Sequence, residues 1–184
     1  MKISVISGSR NPDGQTARAA KALLEGAAQE GATGEIVFLP ELSIERCRQC
    51  EANGWGVCIS EGRCVIEDDF ARVADSMRAA DALVFANPVY FSDLSESLRA
   101  FLDRLRRITR HEAGLEGIRG KPAVGISVAG GGGGGAPASI VSLEKALAVS
   151  GLDVVDLIPA RRQNLDMKCD VLRLTGAWLA RSLR

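Results

Sequence analysis

The chain has 184 residues, enough for one well-buried core and too few for two. Hydrophobic residues make up 46% and charged residues 25%, the composition of an ordinary globular domain. Acidic and basic side chains balance at 23 each, so net charge gives no case for a nucleic-acid or anionic-membrane partner, and no apolar run approaches the roughly 20 residues needed to cross a bilayer.

Lys2–Ser7 (KISVIS) is a short β-branched run ending at glycine, the pattern of a buried strand. Between Gly14 and Glu30, Ala17, Ala20, Leu24 and Ala27 recur at helical spacing, and Gly31 is placed to end the helix. Glu35–Leu39 (EIVFL) reads as a second strand, and a cysteine-rich insertion follows at about 43–67. Asp68 and Asp69 open a helix, where carboxylates suit the positive end of the dipole. Ala82–Ala86 is a third strand, and Leu94, Leu98, Phe101, Leu105 and Ile108 mark the apolar face of the next helix. Ala123–Val128 is a fourth strand, followed by a glycine run and a helix over about Ser139–Ser150. Asp153–Leu157 makes a fifth strand. Leu165, Cys169, Leu172, Gly176 and Leu179 lie along one face of a final helix, where Cys169 reads as a small core residue. Five apolar strands alternating with helices predict one doubly wound α/β domain over 1–184, a parallel sheet covered on both faces.

Ligands in such sheets sit beyond the carboxyl ends of the strands. After the first strand comes SGSRNPDGQTARAA, a polar turn leading straight into a helix, with backbone N–H groups and short hydroxyls suited to a phosphate. It lacks the Gly-Lys-Ser/Thr of a P-loop and the glycine spacing of a dinucleotide fingerprint. After the third strand comes ANPVYFSDLSESLRAFLDR, which sets Tyr90 and Phe91 where a flat aromatic ligand would lie. After the fourth comes AGGGGGGAPA. Six consecutive glycines cost roughly 0.5–1 kcal/mol each relative to alanine, which suits a backbone that must pass close to a ligand.

Cys47-x2-Cys50-x7-Cys58-x5-Cys64 holds four of the five cysteines. The opening MKISVISGSR has too short an apolar run for a signal peptide, which predicts a cytoplasmic protein. In that reducing setting clustered thiols read as metal-binding or catalytic rather than disulfide-bonded. Four thiolates suit an iron–sulfur centre or zinc, although zinc ribbons pair their cysteines more closely than Cys58 and Cys64. His111, the only histidine, reads as solvated. Arg104, Arg106, Arg107 and Arg110 read as one solvated helix face, with the 2′-phosphate of NADPH or an acidic partner as the alternative.

The segments GSRNPDGQT and NPVYFSDLSESLRAFLDR, followed by the glycine loop, resemble the flavodoxin-like NADPH-dependent FMN reductases from Lys2 to about Gly151. The resemblance implies a flavodoxin-like five-stranded sheet and bound FMN. By it Ser9, Arg10, Asn11, Gly14, Gln15 and Thr16 hold the phosphate. Pro88, Val89, Tyr90, Phe91 and Ser92 flank the ring, and Gly130, Gly131, Gly132 and Gly133 cover it. In the iron–sulfur flavoprotein branch of that family a compact cysteine run after the second strand binds a [4Fe–4S] cluster. By this likeness Cys47, Cys50, Cys58 and Cys64 are the ligands, with a middle gap five residues longer than in that branch. The cysteines keep three readings, in the order [4Fe–4S], no metal, and zinc.

The expected activity is that of an NAD(P)H-dependent FMN reductase-type oxidoreductase passing electrons to a small or protein acceptor. A flavodoxin-like or iron–sulfur flavoprotein electron carrier without its own small-molecule substrate is the alternative. Against the flavodoxin stands the even charge, since flavodoxins are strongly acidic. The resemblance also implies a homodimer or homotetramer, with no nucleic acid or membrane as partner.

Overall fold

The computed structural model describes residues 1–183. Its strands are β1 (Lys2–Ser7), β2 (Thr33–Phe38), β3 (Ala82–Pro88), β4 (Pro122–Ala129) and β5 (Asp153–Arg161). The helices are α1 (Gln15–Gln29), α2 (Val57–Ser60), α3 (Phe70–Ala79), α4 (Glu96–Ile108), α5 (Glu112–Leu115), α6 (Ala136–Val149) and α7 (Leu165–Ser182). All strands pair in parallel in the order β2-β1-β3-β4-β5. The chain moves outward from β1 to β2, then returns past β1 to β3, so strand order reverses between β1 and β3. Diverging loops at that reversal open a crevice at the carboxyl ends, where ligands of flavodoxin-like sheets bind.

Helices α1 and α7 cover one face around Ile3, Val5, Leu23, Val84, Ile126 and Leu172. Helices α3, α4 and α6 cover the other around Phe70, Met77, Phe85, Leu98, Phe101 and Leu143. Phe70 and Phe101 pack with ring centres 5.3 Å apart and planes tilted by 50°, joining α3 to α4. Helices α1 and α7 meet backbone to backbone, because a Cβ at Gly26 would overlap the Arg173 carbonyl and one at Gly176 the Leu23 carbonyl.

The structure differs from the sequence reading at the sheet edges and helix starts. The predicted strands were apolar throughout, yet only the central β1, β3 and β4 are buried along their length. The outermost β2 and β5 are partly open. Strand β5 continues four residues past Leu157, through Pro159, because an edge strand has one side on which a missing N–H costs no ladder bond. Helix α6 begins at Ala136 rather than Ser139, with Pro137 in the first turn where no intrahelical N–H is needed. Among the described residues no helix is long and apolar enough to cross a membrane.

Candidate flavin cleft and cysteine centre

Beyond β1 the backbone is pinned before it turns. Gly8 N–H donates to the Ala86 carbonyl at 2.9 Å, and the space a Cβ would need at Gly8 is filled by Ser95 and Leu98. The turn builds itself from its own short polar side chains. Asn11 Oδ1 accepts from Asp13 N–H at 2.9 Å, and Asn11 O accepts from Gly14 N–H at 3.1 Å. Ser9 is buried, and its hydroxyl exchanges long contacts with the Asn11 backbone at 3.3 and 3.4 Å. Helix α1 then starts at Gln15 with no side-chain cap and no acidic residue in its first turn. Its leading N–H groups and the positive end of its dipole therefore face the loop, the arrangement that attracts a phosphate.

Beyond β3 the chain makes a two-residue reversal. Tyr90 and Asp93 exchange backbone hydrogen bonds at 3.2 and 2.9 Å, and between them Phe91 and Ser92 both adopt left-handed backbone, φ 49° and 62°. Non-glycine residues pay for that conformation only where the surroundings enforce it. Here Asp93 does so: its carboxylate accepts from Leu94 N–H at 2.8 Å and from Arg99 at 2.7 Å. Those partners, Leu94 N–H first, hold the Asp93 carboxyl below its ordinary range against the opposing effect of partial burial. Asn87, buried at the end of β3, ties the reversal to the core. Its Oδ1 accepts from Ser95 N–H at 2.9 Å and its Nδ2 donates to Ser139 Oγ at 2.9 Å, with Ser127 Oγ 3.2 Å from Ser139 Oγ. Asn87 is a site-forming residue missed in the sequence. Its one signal was a polar residue ending an apolar strand before proline.

Beyond β4 the glycine run is not uniform. Gly133 and Gly135 adopt φ +80° and +83°, and a Cβ at Gly135 would lie 2.7 Å from Ser92 Cα. Gly131, Gly132 and Gly134 face open space. Only part of the run therefore needs glycine for conformation or contact.

These three loops border one open cleft lined by Asn11, Gly14, Gln15, Thr16, Pro88, Val89, Tyr90, Gly130 and Gly131, joined by Val128. Ser9, Arg10, Phe91, Ser92, Gly132 and Gly133, also expected around the cofactor, do not line it. Ser9 is turned into its own loop, and Phe91 is fully exposed. The Gln15 Oε1 atom is buried with no hydrogen-bond partner among the described residues. A buried acceptor left open in this way calls for a donor such as a ligand hydroxyl, while the uncapped N–H groups that start α1 suit a phosphate.

The segment between β2 and α3 is held at both ends by Arg104 of α4. Its two terminal nitrogens donate to Asp68 Oδ2 at 2.6 Å and Oδ1 at 2.9 Å, and also reach the Glu45 and Ile66 carbonyls at 3.1 and 3.4 Å. Asp68 in turn accepts from Glu45 N–H at 2.8 Å, and Asp69 from Ser43 N–H at 2.8 Å. The two aspartates thus fasten the start of the segment as well as preceding α3. Farther in, Arg107 donates to the Gly54 carbonyl at 2.6 Å and lies over the Trp55 ring, 4.6 Å from its centre. The arginines do not form one solvated face. Arg104 is buried because a carboxylate 36 residues away meets its charge, Arg106 pairs with Asp103 at 3.0 Å, and Arg110 is exposed. His111 Nδ1 accepts from Ala113 N–H at 3.2 Å, starting α5.

Within this clasped segment Cys47, Cys50, Cys58 and Cys64 all line one small pocket. Among the described residues no three His, Cys, Asp or Glu side chains gather closely enough to hold a single metal ion. The donor set is four thiols around that pocket, with Arg48, Arg63, Arg104 and Arg107 beside them and no described carboxylate in the lining. All-thiol donors without a carboxylate are a soft set, of the kind that iron–sulfur centres and structural zinc take. Cys169 stands apart on the buried face of α7, where burial pushes its thiol up against the opposing pull of Arg18 and Arg173.

Comparison with known proteins agrees with this geometry. The family model for NADPH-dependent FMN reductase matches residues 1–158. An iron-sulfur flavoprotein of Methanosarcina thermophila is 32% identical over 155 residues, 84% of this chain and 77% of that protein. An iron-sulfur flavoprotein of Methanocaldococcus jannaschii is 33% identical over 131 residues, 71% of this chain but 65% of the relative, so the match leaves about a third of that protein uncovered. Two solved structures share the fold: a flavone reductase (TM-score 0.73, 22% identity, covering 100% of this chain and 63% of that one) and the NAD(P)H:quinone oxidoreductase from Methanothermobacter marburgensis (TM-score 0.71, 19% identity, 97% and 96%). With the sheet order, the loop architecture and these matches together, the chain belongs to the NADPH-dependent FMN reductase family, alongside its iron–sulfur flavoproteins.

Proposed function

We propose that this protein is an FMN-binding oxidoreductase that accepts electrons from NAD(P)H and passes them to a small or protein acceptor. One observation carries the reading: three loops from the carboxyl ends of β1, β3 and β4 converge on a single cleft at the strand-order reversal, beside an uncapped helix start. When bound, FMN supplies the two-electron and one-electron chemistry that amino-acid side chains lack. The chain's part is to hold and shield it. The first turn of α1, with Thr16 and Gln15, receives the phosphate, and Pro88, Val89 and Tyr90 bound one side of the cleft while Gly130 and Gly131 bound the other. Titration of flavin-free protein with FMN tests this; saturable binding that Thr16→Ala weakens supports it, and absence of binding overturns it.

The four cysteines are the proposed ligands of a [4Fe–4S] cluster, which gives the protein a one-electron centre. Support comes from their shared cavity, its arginine-lined wall and the names of the relatives. Anaerobic reconstitution with iron and sulfide should load about four irons per chain. A chain that holds only flavin removes the cluster, and one zinc per chain replaces it with a structural metal. Steady NAD(P)H oxidation with a small acceptor separates the reductase from a carrier that only docks with redox partners. The exposed Phe91, next in sequence to Tyr90 of the cleft, suits cover by a second copy of the chain, so the assembly is proposed as a homodimer or homotetramer in the cytoplasm.

A further inference from the structure

The cavity shared by the four cysteines contains two hydrogen-bond donors with nothing to receive them. Arg104 Nε and Arg107 Nε are both shut off from solvent, and neither finds an acceptor among the described residues. Burying a donor of a charged group unmet is expensive, so such atoms call for an explanation. Neither guanidinium is free to turn away. Arg104 spends its terminal nitrogens on Asp68, Glu45 and Ile66 and lies 4.2 Å over the Phe70 ring. Arg107 is fixed by the Gly54 carbonyl and the Trp55 ring. The other two arginines of the cavity are engaged elsewhere, Arg48 with Glu45 and Arg63 with Glu61.

We infer that Arg104 and Arg107 are positioning residues for the cysteine centre, aiming their Nε–H groups at its sulfurs and thereby raising its reduction potential. The inference rests on reading the four cysteines as ligands of an iron–sulfur cluster. Thiolate and sulfide sulfurs accept hydrogen bonds, and each fixed N–H or positive charge stabilises the more electron-rich oxidation level. A purely mechanical role would hold the segment in place and leave the potential of a fully loaded cluster unchanged.

The test uses the whole chain, reconstituted anaerobically with iron and sulfide, and measures iron content first. Arg107→Gln and Arg107→Lys are then compared with the unaltered protein by redox titration followed by electron paramagnetic resonance, with FMN content as a control. Arg107→Gln is expected to keep its iron while reduction becomes about tenfold less favourable, a fall of about 59 mV for one electron. Arg107→Lys should recover only part of that fall, since lysine restores charge without the planar donor. In the unaltered protein grown on ¹⁵N-arginine, pulsed resonance of the reduced cluster should show a coupled arginine nitrogen. Full iron with an unchanged potential in Arg107→Gln overturns the inference. So does full recovery in Arg107→Lys, which would leave charge alone as the cause. If Arg107→Gln fails to hold iron, the nitrogen coupling decides, and its absence overturns the role. An unaltered chain that takes up no iron instead defeats the cluster reading itself, and is seen before any variant is made.

Discussion

Arg104 grips both carboxylate oxygens of Asp68, at 2.6 and 2.9 Å, with the two side chains only 1% and 4% exposed. Burial opposes both charges. For Arg104 the bonds to Asp68, helped by the nearness of the Cys64 sulfur, outweigh it and raise the pKa further. For Asp68 the bonds from Arg104 and from the Glu45 and Phe70 N–H groups outweigh it and lower the pKa. The pair closes the cysteine segment where it leaves β2 and where it enters α3.

Removing one partner should therefore be costly. Asp68→Asn leaves Arg104 buried without a counter-charge and is expected to cost about 3–5 kcal/mol in denaturant unfolding at pH 7. The sign with pH follows from the lowered carboxyl pKa. The Asp68 contribution is fully present above the ordinary aspartate value of about 3.9 and is lost as pH falls through the lower folded value. Asp68→Asn should thus be less stable at neutral pH yet lose less on acidification. Equal stability of the two proteins at pH 7 would show that the clasp adds nothing.

The phosphate side of the cleft makes a second prediction. Replacing Gln15 and Thr16 together by alanine removes an amide NH2 and a hydroxyl, two side-chain groups at the first turn of α1 able to donate to a phosphate. Hydrogen bonds to a charged group contribute about 1.5–3 kcal/mol each, so FMN affinity should fall at least tenfold with the melting temperature little changed. Fluorescence titration reads the affinity directly. Ser9→Ala should have a smaller effect on FMN, because the Ser9 hydroxyl is turned into its own loop.

A third prediction separates the glycines. Gly135→Ala forces a side chain onto left-handed backbone and against Ser92, so it should disturb the Tyr90–Asp93 reversal and weaken FMN binding. Gly132→Val points into open space with ordinary φ and should cost markedly less. If the two variants bind FMN equally, the loop is a spacer and takes no part in shaping the cleft.

A fourth concerns the α1–α7 contact. A methyl at Gly176 would overlap the Leu23 carbonyl, a backbone atom that cannot move aside as a side-chain tip could. Gly176→Ala is expected to destabilise the fold by about 1–3 kcal/mol through overpacking. Thermal unfolding checks this.

Much of this molecule was legible in its sequence because the central strands are continuous apolar runs bounded by turn residues. The runs at Lys2, Ala82 and Ala123 announced β1, β3 and β4, and the loops after them met in one cleft. The extension of β5 was hidden because proline normally ends a strand, and only the edge position excuses Pro159. The burial of Arg104 could not be read either. Whether an arginine is solvated or buried depends on a partner, and Asp68 looked like an ordinary helix-opening carboxylate. The same holds for Ser9: a serine in a phosphate-type turn can face the ligand or brace the turn, and spacing alone does not distinguish the two.

Helix α4 touches both centres. Near its start Ser97 Oγ donates to the Gly8 carbonyl at 3.2 Å, beneath the flavin loop, and seven residues later Arg104 meets the cysteine cavity. At 1.5 Å per residue that is a rise of roughly 10 Å along one continuous helix. Within one chain α4 therefore acts as a measuring rod between the two sites. Their spacing is written in residue count, and no hinge is needed to bring them into range. Deleting one residue between Ser97 and Arg104 would shorten the rod by about 1.5 Å and swing the arginines about 100° around it, out of the cysteine wall.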